Sequence, residues 1–329
     1  MALLLPLCFA CTTNTDRSQS NESVPAAAST ANVTNLKAKP IYASVEPTRL
    51  ATLPISAYHT TLAIDQDTVY LLSSHAAFRL IPGQLPQGIK LELGIGPTVT
   101  RSGFVYWSNG FIWRAPKSGG EPEKIAKFPH QPQYFVSSGD ALAWIDLTDA
   151  GLFTIQTLTH KKPRVLVSSN QELSDLNMIE NTVYFVDRPT DATWRIGQVK
   201  VDGGEPSYGP ERSGSRPSML VGTDDIYYYD INASEIRRLN REGRTEETLL
   251  KKFVCSPIHV SNKIYCGCVE GLFEVTKDTY QPRILSHNRP GQITNITSDS
   301  KRVVWIADVG RDSLAVDMLP VSSQVITNN

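Results

Sequence analysis

A short apolar motif rich in aromatic residues recurs seven times along the chain, and longer segments of mixed polarity separate its copies. In Val105-Tyr106-Trp107, for example, three consecutive residues are large and apolar. The central residues of the copies lie 36 to 43 positions apart, 39 on average: Tyr70, Tyr106, Ala143, Tyr184, Tyr227, Tyr265 and Val304. A fixed period of about 40 residues with strand-like content is typical of propeller blades. The pattern therefore predicts an all-β protein, a single seven-bladed β-propeller.

Each repeat divides into four predicted strands, most clearly in the second repeat. There the pattern predicts strands at Thr98–Thr100, Phe104–Trp107, Phe111–Ala115 and Glu123–Ala126. The residues between them are rich in Gly, Ser and Asn, which favour turns. The second strand of each repeat is apolar on both faces, as expected for a strand that is covered by a neighbouring blade on each side.

The predicted outer strands share a proline, a charged residue and then aliphatic residues, as in Pro122–Ala126, Pro163–Leu166 and Pro282–Leu285. The seventh repeat lacks this signature, but residues 47–53 carry it at the front of the chain. An open ring would leave an unpaired sheet edge and an uncovered apolar face. We therefore expect residues 47–53 to form the outer strand of the last blade, so that an N-terminal strand closes the ring by pairing with the C-terminal blade.

The N-terminal segment has a different composition from the repeats. Residues 1–11 are apolar and end in Ala10-Cys11, which resembles a bacterial lipoprotein signal with Cys11 as the lipidated residue. The alternative is a disordered apolar N-terminus, since no Lys or Arg precedes the apolar run. Residues 12–40 are rich in Ser, Thr, Asn and Ala, which predicts a disordered tether. We thus divide the chain into residues 1–11 as signal segment, 12–40 as tether and 41–329 as propeller.

This organisation predicts a monomer that is anchored to a membrane by an N-terminal lipid and faces the periplasm or the cell surface. Thr12 follows the cysteine, and by resemblance to lipoprotein sorting rules it favours the outer membrane. The formal net charge of −1 does not favour nucleic acid as a partner.

Three cysteines lie within the repeats: Cys255, Cys266 and Cys268. If Ser261-Asn262 is a two-residue turn, counting outward places Cys255 opposite Cys268, and an oxidising compartment would permit a disulfide between them. Two alternatives stay open. The cysteines are thiols, or Cys266 and Cys268 bind a metal together with Cys255 and His259.

Several second strands end in an acidic or amide residue: Asn109, Asp146, Asp187, Asp230 and, one place later, Asp308. The loops that follow these strands add further carboxylates such as Asp149. In a propeller these loops lie on one face, so the carboxylates and His75, which is in the same class of loop, form a candidate ligand or cation face. Oxygen ligands of this kind suit Ca²⁺. The alternative is that Asp and Asn cap strand ends by accepting hydrogen bonds from local backbone amides.

Three histidines, His59, His130 and His287, lie on predicted loops between blades, which emerge on the same face as the acidic column. A histidine there could meet a carboxylate and perform acid–base chemistry. The alternative is a solvated loop histidine. No zinc spacing, nucleophile motif or dinucleotide motif is present, so we expect no cofactor and no metal beyond Ca²⁺. Three aromatic residues outside the blade-packing motif are candidates for a binding face: Trp113, Trp194 and Tyr208.

The second repeat, from Val105-Tyr106-Trp107-Ser108-Asn109 to Gly119-Gly120, resembles the YWTD blades of lipoprotein-receptor propellers. It is also similar to the blades of TolB-like bacterial propellers, and the resemblance covers about residues 41–320. Receptor YWTD propellers have six blades, whereas this chain has seven repeats. The resemblance implies a β-propeller of the binding-scaffold type and brings no catalytic residues with it.

These observations lead to two functional expectations. The first is a non-catalytic scaffold of the cell envelope that recognises a protein, peptide or glycan on the loop face of the propeller. The second is a metal-dependent enzyme of the lyase or lactonase type, with its site at the mouth of the propeller channel. A converging set of carboxylates and histidine would favour the enzyme, and a broad apolar or aromatic patch would favour the scaffold.

Overall fold

The computed structural model describes part of the chain between residues 46 and 321. The gaps within it are residues 57–59, 75, 92–93, 160, 216, 223, 231, 242–244, 252–257, 261–262, 269–270, 276–281, 288–291 and 311–312. The signal segment, the tether, Cys11, Cys255 and His75 therefore lie outside the described residues. In the part that is described, no helix has the length and apolar character needed to cross a membrane.

The described strands form seven antiparallel sheets that follow one another around a ring, which confirms the all-β, seven-bladed propeller. In order from the inner to the outer strand, the first three blades are as follows. Blade 1 contains β2 (Thr60–Asp65), β3 (Thr68–Ser73), β4 (Ala76–Leu80) and β5 (Gln87–Lys90). Blade 2 contains β6 (Ile95–Val99), β7 (Phe104–Ser108), β8 (Phe111–Ala115) and β9 (Glu123–Lys127). Blade 3 contains β10 (Tyr134–Ser138), β11 (Ala141–Leu147), β12 (Phe153–Thr159) and β13 (Lys162–Ser169).

The last four blades repeat the same order. Blade 4 contains β14 (Leu173–Ile179), β15 (Thr182–Thr190), β16 (Thr193–Lys200) and an outer edge made of β17 (Ser207–Tyr208) and β18 (Arg212–Ser213). Blade 5 contains β19 (Ser218–Val221), β20 (Asp225–Asp230), β21 (Glu235–Asn240) and β22 (Glu246–Lys251). Blade 6 contains β23 (Ile258–Val260), β24 (Ile264–Cys268), β25 (Gly271–Val275) and β26 (Pro282–His287). Blade 7 contains β27 (Ile293–Ser298), β28 (Arg302–Gly310), β29 (Ser313–Pro320) and β1 (Thr48–Leu53).

An apolar cluster fills the space between each pair of neighbouring blades in the described part of the chain. The second strands contribute to two clusters at once, because their alternate side chains point toward opposite neighbours. Tyr106 and Phe104 pack toward blade 1, for example, whereas Val105 packs toward blade 3. Full burial of a side chain of this size stabilises the fold by about 1.5–3 kcal/mol. The side chains of the repeated motif therefore form much of the apolar core between neighbouring blades.

The N-terminal strand β1 closes the ring as predicted. It pairs with β29 from Thr48, opposite Met318, to Leu53, opposite Leu314. Leu50 and Ala51 are buried in the cluster between blades 7 and 1. Arg49 donates from Nε to Oδ1 of the buried Asp317 at 2.6 Å and from Nη2 to Oδ2 at 3.2 Å. The closure thus combines backbone pairing, apolar packing and a bidentate ion pair.

The antiparallel order of the strands gives the ring two distinct faces. We call one the loop face, since it holds the loops between second and third strands and the loops between blades. The other is the turn face, with the turns between first and second strands and between third and outer strands. On the turn face, ion pairs and hydrogen bonds connect neighbouring blades. Lys117 Nζ lies 2.6 Å from Asp65 Oδ2, Ser102 N donates to Asp140 Oδ1 at 2.9 Å, and Arg302 donates to the carbonyl of Gln66 at 3.0 Å.

The cysteine prediction used the wrong register. Val260 pairs with Ile264 rather than with Lys263, so three residues separate the paired ends of β23 and β24. A shift of one residue moves every counted partner to the opposite face of the strand. In the structure Cys266 is the disulfide-bonded residue, and Cys268 carries a half-buried thiol. The prediction is therefore wrong in assigning the disulfide to Cys268, and its other residue, Cys255, is not described.

Candidate functional site

The acidic residues that end the second strands lie on the loop face, but each has its own local partners. Asp230 Oδ1 accepts from the backbone N–H groups of Asn232 and Ala233 at 3.1 and 3.0 Å. Asp308 Oδ1 accepts from the N–H of Gly310 at 2.8 Å. Both contacts are of the kind by which Asp stabilises a turn. These two carboxylates therefore hold the ends of their own hairpins.

Asp187 takes part in a charged contact at the edge of blade 4. Its Oδ2 accepts from Arg195 Nε at 2.7 Å, and the Arg195 guanidinium lies 4.0 Å from the ring centre of Tyr208. Burial raises the pKa of Tyr208, and the negative charge of Asp187 raises it further. Of the three predicted aromatic contacts, Tyr208 is exposed and Trp113 is half-buried, but Trp194 is buried. Trp194 packs edge-on against Tyr228, so its assignment to a binding face is wrong.

Asp146 is the carboxylate of this column that meets a histidine. Its side chain is 1% exposed, and Oδ2 lies 3.1 Å from His130 Nδ1. Gln156 Nε2 donates to the same oxygen at 3.1 Å. The other imidazole nitrogen, Nε2, lies 3.7 Å from Oδ2 of Asp149, whose side chain is 99% exposed. Of the two alternatives for the loop histidines, contact with a carboxylate of the acidic column is thus the one observed at His130.

The loop between blades 2 and 3 positions His130. It runs through Phe128-Pro129-His130-Gln131-Pro132, and its two prolines restrict the backbone. Phe128 is buried and lies edge-on to both His130 and Trp144, with ring centres 6.0 and 5.2 Å apart. The backbone of the loop is fixed at its ends, where Phe128 N donates to the carbonyl of Gly110 and Gln133 N donates to that of Ile145. The imidazole is therefore held by packing on one side and by a buried carboxylate on the other.

Exposed apolar side chains accompany this pair on the loop side of blade 3. Tyr134, Leu147 and Leu152 are 41%, 44% and 38% exposed. Leu147 and Leu152 flank the loop that carries Asp149, and Thr148 N donates to the carbonyl of Leu152 at 2.9 Å across its base. We call the six residues together the blade-3 cluster: His130, Tyr134, Asp146, Leu147, Asp149 and Leu152.

The sequence identified some members of this cluster and missed others. His130, Asp146 and Asp149 stood out by residue type and position in the repeat. Tyr134, Leu147 and Leu152 did not, and neither did Gln156 beside the cluster, since glutamine in a third strand and leucine beside a turn carry no distinctive pattern. The register of β11 with β12 places Gln156 opposite Trp144, so that it lies close to Asp146.

The described residues contain no group of three or more His, Cys, Asp or Glu side chains arranged to hold a metal ion. Asp146, Asp187, Asp230 and Asp308 each have the local contacts given above, and His75 is not described. The Ca²⁺ site stays a prediction.

Neither the protein-family models nor the curated proteins contain a match to this sequence. Solved structures do match it. An oligogalacturonate lyase from Vibrio parahaemolyticus superposes with a TM-score of 0.66 at 14% identity, covering 87% of this chain and 97% of the other. The Pan2 WD40 domain of Neurospora crassa superposes with a TM-score of 0.60 at 10% identity, covering 84% and 97%.

A putative TolB from Agrobacterium tumefaciens is also similar, with a TM-score of 0.46 at 16% identity over 59% of this chain and 80% of the other. Its score is too low to support any argument about this chain. At identities this low the two stronger likenesses concern the fold and not the activity, since one propeller fold hosts many functions. Together they establish that the chain is similar to proteins built as β-propellers.

Proposed function

We propose that the protein is a non-catalytic binding scaffold of the bacterial cell envelope that recognises a protein, peptide or glycan on its loop face. The observation that supports this proposal is the blade-3 cluster, where Tyr134, Leu147 and Leu152 are exposed beside polar groups. Exposed apolar side chains grouped on one surface and bordered by polar residues are typical of interaction sites. A scaffold also needs no catalytic set, only a rigid surface.

The contrast between the two faces supports the loop face as the binding surface. On the turn face, Lys117, Ser102 and Arg302 make polar contacts that hold neighbouring blades together. The blade-3 cluster instead presents Leu147, Leu152 and Asp149 to solvent at the end of a loop. Binding groups commonly lie on loops that a rigid scaffold positions.

The envelope part of the proposal rests on the sequence. Cys11 would receive the lipid, residues 12–40 would act as a tether, and the propeller would stand away from the membrane on the periplasmic side or at the surface. An outer-membrane location is the version that Thr12 favours.

Site-specific photo-crosslinking in the producing bacterium tests the binding face. A photoreactive amino acid replaces Leu152 on the loop face in one variant of the full chain and Leu85 on the turn face in a control variant. Leu85 is a suitable control because it is also an exposed leucine. We expect a covalent adduct with a partner molecule at position 152 and none at position 85. Adducts at neither position, or equally at both, would contradict the proposal.

A second candidate, an enzyme of the lyase or lactonase type, is favoured by the contact between His130 and Asp146. A buried carboxylate that orients an imidazole is an arrangement used for general-base catalysis. The discriminating assay incubates the full chain with oligogalacturonate, with Ca²⁺ or with a chelator, and follows the ultraviolet absorbance of an unsaturated product. The scaffold proposal expects no product. Product formation that His130→Gln abolishes would instead establish the enzyme.

A further inference from the structure

The blade-3 cluster carries an excess of negative charge. Two carboxylates, Asp146 and Asp149, lie within 4 Å of one imidazole, that of His130. Even a protonated His130 balances only one of them. No Lys or Arg side chain has an ion pair with either carboxylate in the described part of the chain. The cluster is therefore complementary to a positively charged group.

Asp146 also has an unsatisfied acceptor. Its Oδ2 receives hydrogen bonds from His130 and Gln156, but Oδ1 is buried and has no donor among the described residues. A buried carboxylate oxygen without a donor is unfavourable, because it has lost its hydration and gained no hydrogen bond in return. A cation at the neighbouring surface would stabilise this buried negative charge through the low-dielectric interior, without direct contact.

Exposed apolar side chains lie on the same side of blade 3 as the charge. Leu147 and Leu152 flank the loop that carries Asp149, and Tyr134 is exposed at the start of β10. Long basic side chains have apolar stems that pack on such surfaces while the charged end stays at a carboxylate. A neutral sugar lacks the cation, and an acidic glycan or a nucleic acid would be repelled by the two carboxylates.

We propose that the blade-3 cluster is the docking site for a basic, apolar segment of a protein partner, in which a Lys or Arg is flanked by apolar side chains. The inference rests on the proposed scaffold function and names the partner class for it. The basic side chain pairs with the exposed Asp149, and the buried Asp146 adds its negative charge from beneath without direct contact, while the flanking apolar side chains contact Leu147, Leu152 and Tyr134. His130, held between the carboxylates, borders the same point.

Binding of synthetic peptides to the full chain tests the inference, with fluorescence anisotropy as the readout. The probes are three peptides that differ only at a central position, which is Arg, Gln or Glu, and that carry Leu and Tyr on either side of it. We expect the Arg peptide to bind at least about tenfold more tightly than the Gln peptide, which corresponds to one well-placed charged contact. The Glu peptide should bind more weakly still. Added salt should reduce the differences in affinity among the three peptides.

Matched variants assign the binding to the cluster. Asp149→Lys should weaken the Arg peptide by about tenfold or more and remove its preference over the Gln peptide. Leu147→Ser should weaken all three peptides. The controls are Glu121→Lys and Leu85→Ser, which make the same kinds of change at exposed positions of the turn face. Neither control should alter binding, and equal melting temperatures would show that every variant folds.

The possible results separate this inference from the scaffold proposal. Equal affinity for the Arg, Gln and Glu peptides, with loss on Leu147→Ser, would overturn the basic-segment inference and leave a binding face in place. Binding that Asp149→Lys does not change would overturn it as well, as would the absence of binding by any peptide. The scaffold proposal itself is decided by separate experiments, the crosslinking at positions 152 and 85 and the assay for an unsaturated product.

Discussion

His259 shows how a single residue couples this fold to pH. It lies on the inner strand β23, where its Nε2 accepts a hydrogen bond from the backbone N–H of Ser298 in blade 7 at 3.1 Å. Burial lowers the pKa of His259 to about 4, from an ordinary value of 6.5. The folded protein therefore holds this imidazole neutral at pH values where an unfolded chain takes up a proton.

The consequence is a loss of stability in mild acid. Above pH 6.5 the imidazole is neutral in both states, and the contribution of His259 to stability is fully present. As the pH falls from 6.5 to 4 the unfolded chain gains a proton that the folded chain does not, and the loss reaches at most about 3 kcal/mol. We expect urea denaturation to show this loss in the wild type and a much smaller one in His259→Gln. Identical pH profiles for the two proteins would contradict the assignment.

At the scale of elements, an ion pair adds to the backbone pairing and apolar packing between β1 and β29. Arg49 forms a bidentate contact with the buried carboxylate of Asp317, which accepts from no other side chain in the described part of the chain. Removing the arginine leaves a buried carboxylate without a cation. This lowers the free energy of unfolding far more than removing a surface ion pair does.

Arg49→Met should therefore lower the free energy of unfolding by about 2–3 kcal/mol, because the guanidinium is partly exposed and the full cost of a buried pair does not apply. The matched control is Lys301→Met, which removes an exposed ion pair with Asp67 at the same junction between blades 7 and 1. We expect the control to cost less than about 1 kcal/mol. In an Asp317→Asn background the cost of Arg49→Met should shrink, as a double-mutant cycle measured by chemical denaturation would show. A cost that is unchanged in that background would contradict the role of the pair.

At the scale of the whole molecule, the ring is stable only when every blade has two neighbours. The cluster between blades 7 and 1 contains Leu50 and Ala51 of β1 together with residues of both blades. Loss of β1 uncovers this cluster and leaves β29 as an unpaired edge, which promotes aggregation.

We expect a chain that begins at Pro54 to melt roughly 10 °C below one that begins at Glu46, or to aggregate during the scan. The two chains differ only in β1 and the residues beside it, so the comparison isolates ring closure. A peptide of residues 46–55 added to the shorter chain should raise its melting temperature by binding the open edge. Equal melting temperatures for the two chains would show that the ring does not need this strand.

Sequence patterning was sufficient for the features that repeat. The motif around Tyr70, Tyr106 and Tyr184 recurs because every blade must fill the same space between its neighbours. The period, the number of blades and the order of strands can therefore be predicted from the sequence pattern. The proline signature at residues 47–53 likewise identified the closing strand, because an outer strand has the same environment in each blade. Repetition turns a long-range arrangement into a local pattern that can be read along the chain.

Features that do not repeat were decided by the tertiary structure. The turn between β23 and β24 is one residue longer than the predicted two-residue turn, so the predicted pairing of Cys268 does not hold, and the packing of blades 4 and 5 buried Trp194. The contact of His130 with Asp146 joins an inter-blade loop to the end of a second strand, and both lie beside the exposed Leu147 and Leu152. The sequence by itself determined that seven blades close with an N-terminal strand, since hydrophobic periodicity is a property of neighbouring residues. Only the folded ring determined which carboxylate meets a histidine beside an apolar surface, because that depends on distances between loops that no local pattern sets.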